Sequence, residues 1–434
     1  MGRFLHTVWP FTGHVYPNVA IAHELRHRGH EVAFYTGGKF RALIEGEGFT
    51  FFPIKRVCQE RIENIVLSPN GILKRSRNPF KKKALWKQWV LETVPQQVAD
   101  IKEICLEWTT DTIICDPTMW GPFLVLHETM KIPVAVFSLI PACHLSGTDA
   151  PIFGFPLPRA RNRLQYLRAS VLKKAVSIFL GDVRREANAI RSKYGLPATA
   201  LSITDLAGKM PLYLIPGSPE FDYQRKDLSP SVHYIGTCLW NKAKNDLTPH
   251  WINELSKKKP VIYVSEGTIQ LQPRLLKAAA QGLAYLPLQV IMTTGTHRSC
   301  DHLDLGPSPL APNIRVEPWI PLDDLVPHID AMVTIGGPST LMAAMERAIP
   351  VVIIPFDWDH PETAWRVHES GAGIRLAPKD CTPSKLRHAV HRVLAEPSFR
   401  LNAKTLADSL NQRGGSAYGA ELIESLAAGQ GASC

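Results

Sequence analysis

The sequence is short of several things, and each shortage removes a class of protein. Its eight cysteines, at 58, 105, 115, 143, 238, 300, 381 and 434, include no C-x-x-C pair. That argues against a zinc ribbon or a disulfide framework and for a reducing cytoplasm. No apolar run reaches the ~18–20 residues that span a bilayer. The N-terminal MGRFLHTVWPFTGHVYP has a proline inside its apolar stretch and no small-residue cleavage site, so it does not read as a signal peptide. No G-x-x-x-x-G-K-[ST] is present, which removes the P-loop NTPases. No G-x-G-x-x-G follows the first strand-like run, where PFTGHVYP stands instead, and this argues against a dinucleotide oxidoreductase. No repeat with a 20–50-residue period is evident, so a solenoid is not expected. No nucleic-acid-binding signature is visible, and no nucleic-acid partner is expected.

What is present is a long chain with an excess of positive charge. It has 434 residues and a formal net charge of +10. Such a balance suits an anionic partner, or marks a surface that is simply rich in lysine. Apolar, β-branched runs alternate with helical patterns throughout. FLHTVWPF, EVAFYTG, TIICDP and IPVAVFSL read as strands in the first half, and PVIYVSEGT, LQVIMTTG, IRVEPWI, DAMVTIGG and PVVIIPFD in the second. Their apolar content is continuous rather than alternating, as expected of parallel strands covered on both faces. NVAIAHELRHRG and PRLLKAAAQGLAYL are helical candidates between them. This is βαβ grammar twice over and predicts an α/β protein of two Rossmann-like domains whose parallel sheets face one cleft. The expected boundaries are 1–216 for the first domain, 217–234 for a linker, 235–415 for the second domain and 416–434 for a tail.

Two turns in the second half have anion-binding chemistry. In TIGGPST, Gly336 and Gly337 end a strand and let backbone approach a ligand closely. Pro338 suits a first helical turn, and Ser339 and Thr340 place hydroxyls beside its free N–H groups. A helix start of this kind holds phosphate. SEGT, with Ser265, Gly267 and Thr268, offers a second polar turn after another strand. Both turns also read as tight connections without a ligand, but together they favour a nucleoside diphosphate. Further on, Asp359 and His360 in FDWDHPETAWRV follow a strand and are suited to hydrogen-bond sugar hydroxyls. Asp357-Trp358-Asp359 also spells D-x-D, a weaker signal for a metal pair.

WPFTGHVYPNVAIAHELRHRGHEVAFYT, SVHYIG, VIYVSEGT, VEPWIPLDDLV, TIGGPST and PFDWDHPETAWRV, in that order, resemble the inverting nucleotide-sugar glycosyltransferases of the plant UGT and bacterial macrolide and antibiotic type. The resemblance covers nearly the whole chain. It implies the GT-B fold, with the acceptor in the first domain and the donor, a UDP-sugar or alternatively a dTDP-sugar, in the second. It implies His14 as the catalytic base, with Asp116 in TIICDPTMWGP as its partner carboxylate. Thr12, Gly13 and Trp120 beside them are expected at the acceptor. Trp319 in EPWIP matches the aromatic that stacks on the donor base, and Asp359 and His360 match the acid–amide pair that reads the sugar. No metal and no cofactor beyond the nucleotide-sugar co-substrate is implied. Three positions depart from the pattern: Ile335 stands where the family has His, Ala343 where it has Glu, and Leu322 where it has Gln. These departures keep open a non-catalytic auxiliary protein, and a GT-B epimerase is a further alternative.

The acceptor is expected to be a hydrophobic small molecule or lipid-like compound. NGILKRSRNPFKKKALWKQWV (70–90) and PRARNRLQYLRASVLKKAV (158–176) combine basic and aromatic residues. They read either as a solvated face near the acceptor loops or as a weak contact with an anionic membrane. The expected location is therefore cytoplasmic, with peripheral association at the inner membrane face as an extension.

Overall fold

Strands buried on both faces need two separate layers of helix, and the computed structural model shows this arrangement twice. The structure describes residues 1–66, 78–140, 145, 147, 150–152, 157–223, 225–240, 249–256, 258–267, 272–295, 303–306, 309–356 and 358–429. The first sheet contains β1 (Arg3–Thr7), β2 (Glu31–Thr36), β3 (Thr50–Pro53), β4 (Thr112–Cys115), β5 (Val134–Phe137), β6 (Leu212–Ile215) and β7 (Val232–Tyr234), in the order β3-β2-β1-β4-β5-β6-β7. The second contains β8 (Val261–Ser265), β9 (Gln289–Thr293), β10 (Ile314–Glu317), β11 (Ala331–Thr334), β12 (Val351–Ile353) and β13 (Gly373–Arg375), in the order β10-β9-β8-β11-β12-β13. All the pairings are parallel. Neighbouring residues of one strand serve opposite cores. Phe4 and Ile114 pack on one face of the first sheet, and Leu5 and Ile113 on the other. This explains why no apolar–polar alternation is visible in those runs.

All nine strand runs read from the sequence form strands. β3, β6, β7 and β13 were not among them. β7 lies within the span read as linker and extends the first sheet. The helix over PRLLKAAAQGLAYL stops early, as Arg274–Gly282. Gly282 abuts the backbone of Pro383, where a Cβ would stand 2.5 Å from the carbonyl oxygen. Much of the C-terminal stretch folds back as the helix Gly415–Ala427, which packs on the helix Thr12–His27. Ala420, Leu422 and Ile423 join the core of the first sheet, and Glu424 pairs with Arg28 and His30.

Each sheet reverses its strand order once, between β1 and β4 and between β8 and β11. Such switch points open a crevice at the strands' carboxyl ends. Register places Thr7 beside Cys115 at the first crevice and Ser265 beside Thr334 at the second. The domains also meet through buried charge. Arg366 Nε donates to Asp222 Oδ1 at 2.7 Å, both side chains being buried. Tyr234 donates its hydroxyl to Asp222 Oδ2 at 2.7 Å, and the Arg366 guanidinium lies 4.5 Å from the centre of the Tyr223 ring.

Candidate active site

At the first crevice the chain turns from β1 into the helix Thr12–His27. His14 lies in that helix's first turn and Asp116 directly follows β4, so the switch point brings together residues 102 apart in sequence. His14 Nδ1 lies 2.5 Å from Asp116 Oδ2. The Asp116 carboxylate is fully buried, and its Oδ1 accepts from both the backbone N–H and the hydroxyl of Thr118, each at 2.7 Å. These bonds fix the carboxylate and, through it, the imidazole. The His14 side chain keeps about a fifth of its surface exposed. Its carbonyl accepts from Asn18 Nδ2 at 2.9 Å, and Asn18 Oδ1 lies 2.8 Å from Nδ1 of the fully buried His6. Burial pushes the His6 imidazole down to about 4, against the opposing effect of its bond to Asn18.

Aromatic rings carry this corner across to the second domain. Phe11 meets His14 edge-on at 5.2 Å and Trp89 at 6.0 Å, and Trp89 in turn meets Trp358 at 6.3 Å. Trp358 is held at φ 58°, a conformation costly for a bulky side chain and typical of functional sites. Asp359 follows it. Burial raises the Asp359 carboxyl above its usual range, opposed by the charges of His360 and His14, so it lies within electrostatic reach of His14. Its Oδ2 is buried without a hydrogen-bond partner among the described residues. His360 opens the helix His360–Ser370.

At the second crevice, Thr334 leads through Ile335 and Gly336 to the helix Pro338–Glu346, whose N-cap, Gly337, provides no side-chain cap. Gly336 sits at φ 99°, and a Cβ there would stand 2.7 Å from Ile353 and 3.5 Å from the Cβ of His360. Around Gly337 there is open space, which leaves the helix start accessible. Ser339 and Thr340 lie half-buried in its first turn. Across the crevice, Ser265 Oγ accepts from the Gly267 N–H at 3.2 Å, and Gly267 has φ 65°. Thr268 and Asp357 lie outside the described residues. Trp319, just beyond β10, keeps 43% of its surface exposed.

The structure therefore draws the expected residues into two groups, one around His14 and Asp116 and one around Gly336, Gly337 and His360. Thr12 and the exposed Gly13 adjoin the first group. Trp120 is buried in the first domain's core, edge-on to Trp86 at 5.1 Å. Ile335 and Ala343 are buried apolar residues, and Leu322 packs on the second core. Thr118, Trp89, Trp358 and the His6–Asn18 pair were missed. Only Thr118 had a local signal, an Asp-x-Thr turn. Among the described residues no three His, Cys, Asp or Glu side chains cluster as a metal-ligand set.

Two doubly wound domains meeting over paired switch points, one with a His–Asp pair and one with a glycine turn at a helix start, define a GT-B architecture. Comparison with known proteins agrees. Residues 12–142 match the glycosyltransferase family 28 N-terminal domain, and residues 286–424 the erythromycin biosynthesis protein CIII-like C-terminal domain. The 4'-demethylrebeccamycin synthase of Lentzea aerocolonigenes is 33% identical over 98% of this chain and 99% of its own. The calicheamicin glycosyltransferase CalG4 superposes with a TM-score of 0.73 at 20% identity, covering all of both chains. The glycosyltransferase VinC, solved in complex with dTDP, superposes with a TM-score of 0.68 at 20% identity, over 98% of this chain and 99% of its own. The chain belongs to the GT-B nucleotide-sugar glycosyltransferases of the macrolide and antibiotic type.

Proposed function

We propose that the protein transfers a hexose from a UDP- or dTDP-sugar to a hydroxyl of a hydrophobic small-molecule or lipid-like acceptor, with inversion at the anomeric carbon. The observation that carries this reading is the 2.5 Å contact of His14 Nδ1 with a buried carboxylate at a switch point. A proton on Nδ1 donated to Asp116 leaves Nε2 as the acceptor, placed to act as a general base. Nε2 takes the acceptor's proton as its oxygen bonds to the anomeric carbon. The bond from that carbon to the diphosphate oxygen breaks on the opposite face. Asp116 then stabilises the imidazolium, the role an Asp has in hydrolase triads.

The leaving diphosphate carries its charge to the start of the helix Pro338–Glu346 and the turn at Ser265–Gly267, where oriented N–H groups stabilise it. Thr268 extends that turn in sequence. Trp319 is assigned to the nucleobase, and Asp359 and His360 to the sugar. The buried Asp359 Oδ2 supports that assignment, since a sugar hydroxyl would supply the bond it lacks. No step is assigned to a metal, and chelators are expected to leave the rate unchanged. Phe11, Trp89 and Trp358 beside His14 support a flat, apolar acceptor near Thr12 and Gly13.

Ile335, Ala343 and Leu322 favour a second reading, a non-catalytic relative that assists another transferase. A thermal-shift panel of UDP-, dTDP- and GDP-sugars, followed by turnover of His14→Ala, separates the two. Donor stabilisation with turnover abolished in His14→Ala is the expected result. No shift with any donor selects the auxiliary protein, and near-normal turnover in His14→Ala removes His14 from the mechanism.

A further inference from the structure

The helix Arg163–Phe179 has no buried residue along its whole length. It rests on the first domain through one half-buried edge, Leu172, Val176 and Phe179. Leu164, Leu167, Val171 and Ile178 follow one another at intervals of three, four and seven, so they form a single stripe on another face. Each is 58 to 73% exposed. Phe80, 66% exposed at the start of the helix Pro79–Val90, adds a further exposed apolar side chain at the C-terminal end of this helix, where its ring meets Phe179 at 5.4 Å. Contiguous exposed apolar side chains of this kind mark an interaction surface.

The charge around the stripe is of one sign. Neither helix contains an acidic residue. Arg163, Arg168 and Lys174 flank the stripe, with the exposed Lys81 and Lys82 beyond Phe80, and none of the five forms an ion pair among the described residues. The acids of the next helix, Asp182 and Glu186, are engaged by Lys83 and Lys87. Lys173 is also engaged, donating to the Gly147 carbonyl. The aromatic content of the 70–90 segment contributes less than its sequence suggests. Trp89 is buried and Trp86 half-buried, so Phe80 alone of the three aromatics faces out. Lys74, Arg75 and Arg77 lie outside the described residues.

We propose that this face docks on an anionic bilayer surface, with the Arg163–Phe179 helix lying flat, its stripe at the acyl boundary and its cations among the headgroups. An apolar stripe between basic flanks is the form of an interfacial helix. A second copy of the chain fits poorly, since it would set an all-basic face against another. Arg161, just ahead of the helix, pairs with Glu369 of the second domain, so the docked face adjoins the cleft between the domains. An acceptor held in the membrane would then reach the cleft from the lipid side.

The test is sedimentation of the full-length protein with phosphatidylcholine vesicles, with and without phosphatidylserine, at low and high salt. Two surface variants accompany the parent, Lys81→Ser/Arg168→Ser/Lys174→Ser and Leu167→Ser/Val171→Ser, with melting temperatures checked against it. The parent is expected to bind only the phosphatidylserine vesicles and to be released by salt. Each lost cation should weaken partitioning roughly fivefold, so the charge variant loses on the order of a hundredfold. The apolar variant should lose on the order of tenfold. Equal pelleting with both vesicles, none at low salt, or unchanged binding by both variants overturns the proposal. So does a dimer in solution that the apolar variant splits, since a second copy would then occupy the face.

Discussion

Replacing Asp116 by Asn keeps the shape of the side chain and removes one charge. Thr118 can still donate to the remaining oxygen. The amide nitrogen, however, would face His14 Nδ1 and donate to it. The imidazole would then carry its proton on Nε2, the atom proposed to accept one. The charge is lost as well. Two unit charges about 4 Å apart in protein surroundings of intermediate polarity interact by about 4 kcal/mol. With Asp116 fully buried and its oxygen 2.5 Å from the ring, little solvent screens that interaction. Four kcal/mol is about three decades of rate, so kcat should fall on the order of a thousandfold. Donor affinity should hardly change, because the proposed donor contacts lie in the second domain. Steady-state kinetics with both substrates varied, together with calorimetric titration of the nucleotide diphosphate, measure the two quantities separately. A kcat within tenfold of the parent, or a loss confined to the KM for acceptor, would refute the role of Asp116 in orienting and charging His14.

His6 makes stability pH-dependent. Its imidazole is neutral and buried in the fold but protonates near 6.5 when unfolded, so the unfolded chain binds the extra proton between those values. Stability is complete above pH ~6.5 and falls as the pH drops towards 4, and the displacement from 6.5 to about 4 corresponds to about 3 kcal/mol. Urea denaturation at pH 7 and 4.5 should show this acid loss reduced in His6→Phe/Asn18→Leu; an equal loss would assign it to other groups. Arg366→Met removes the cation that balances the buried Asp222 carboxylate, leaving it the Tyr234 hydroxyl, and should cost about 3–5 kcal/mol; a loss under 1 kcal/mol by denaturant titration would show that the carboxylate's charge is relieved elsewhere. Gly336→Ala combines a positive φ with a 2.7 Å approach to Ile353, so it should shift the loop and weaken nucleotide diphosphate binding at least tenfold; unchanged affinity by calorimetry would place the diphosphate elsewhere.

The strands were legible because parallel strands buried on two faces leave continuous apolar runs, a signal that survives without any partner. FLHTVWPF and DAMVTIGG need no tertiary context to be read. TIGGPST was legible for a similar local reason, since glycine and proline fix backbone geometry within a few residues. His14 and Asp116 were named from a resemblance; nothing local to either residue says that they meet. The order β3-β2-β1-β4 makes the meeting, by setting the end of β1 beside the end of β4. Other features depend wholly on the fold. Phe11 and Trp89 lie far apart in sequence and converge in the core of the first domain, and Trp358 joins them only when the domains close on each other. The same closure buries Arg366 against Asp222. In the helix Arg163–Phe179, composition alone mixed apolar and basic residues without saying which faced out. Packing against one edge decided that, since a helix side chain's exposure is set by its neighbours in space.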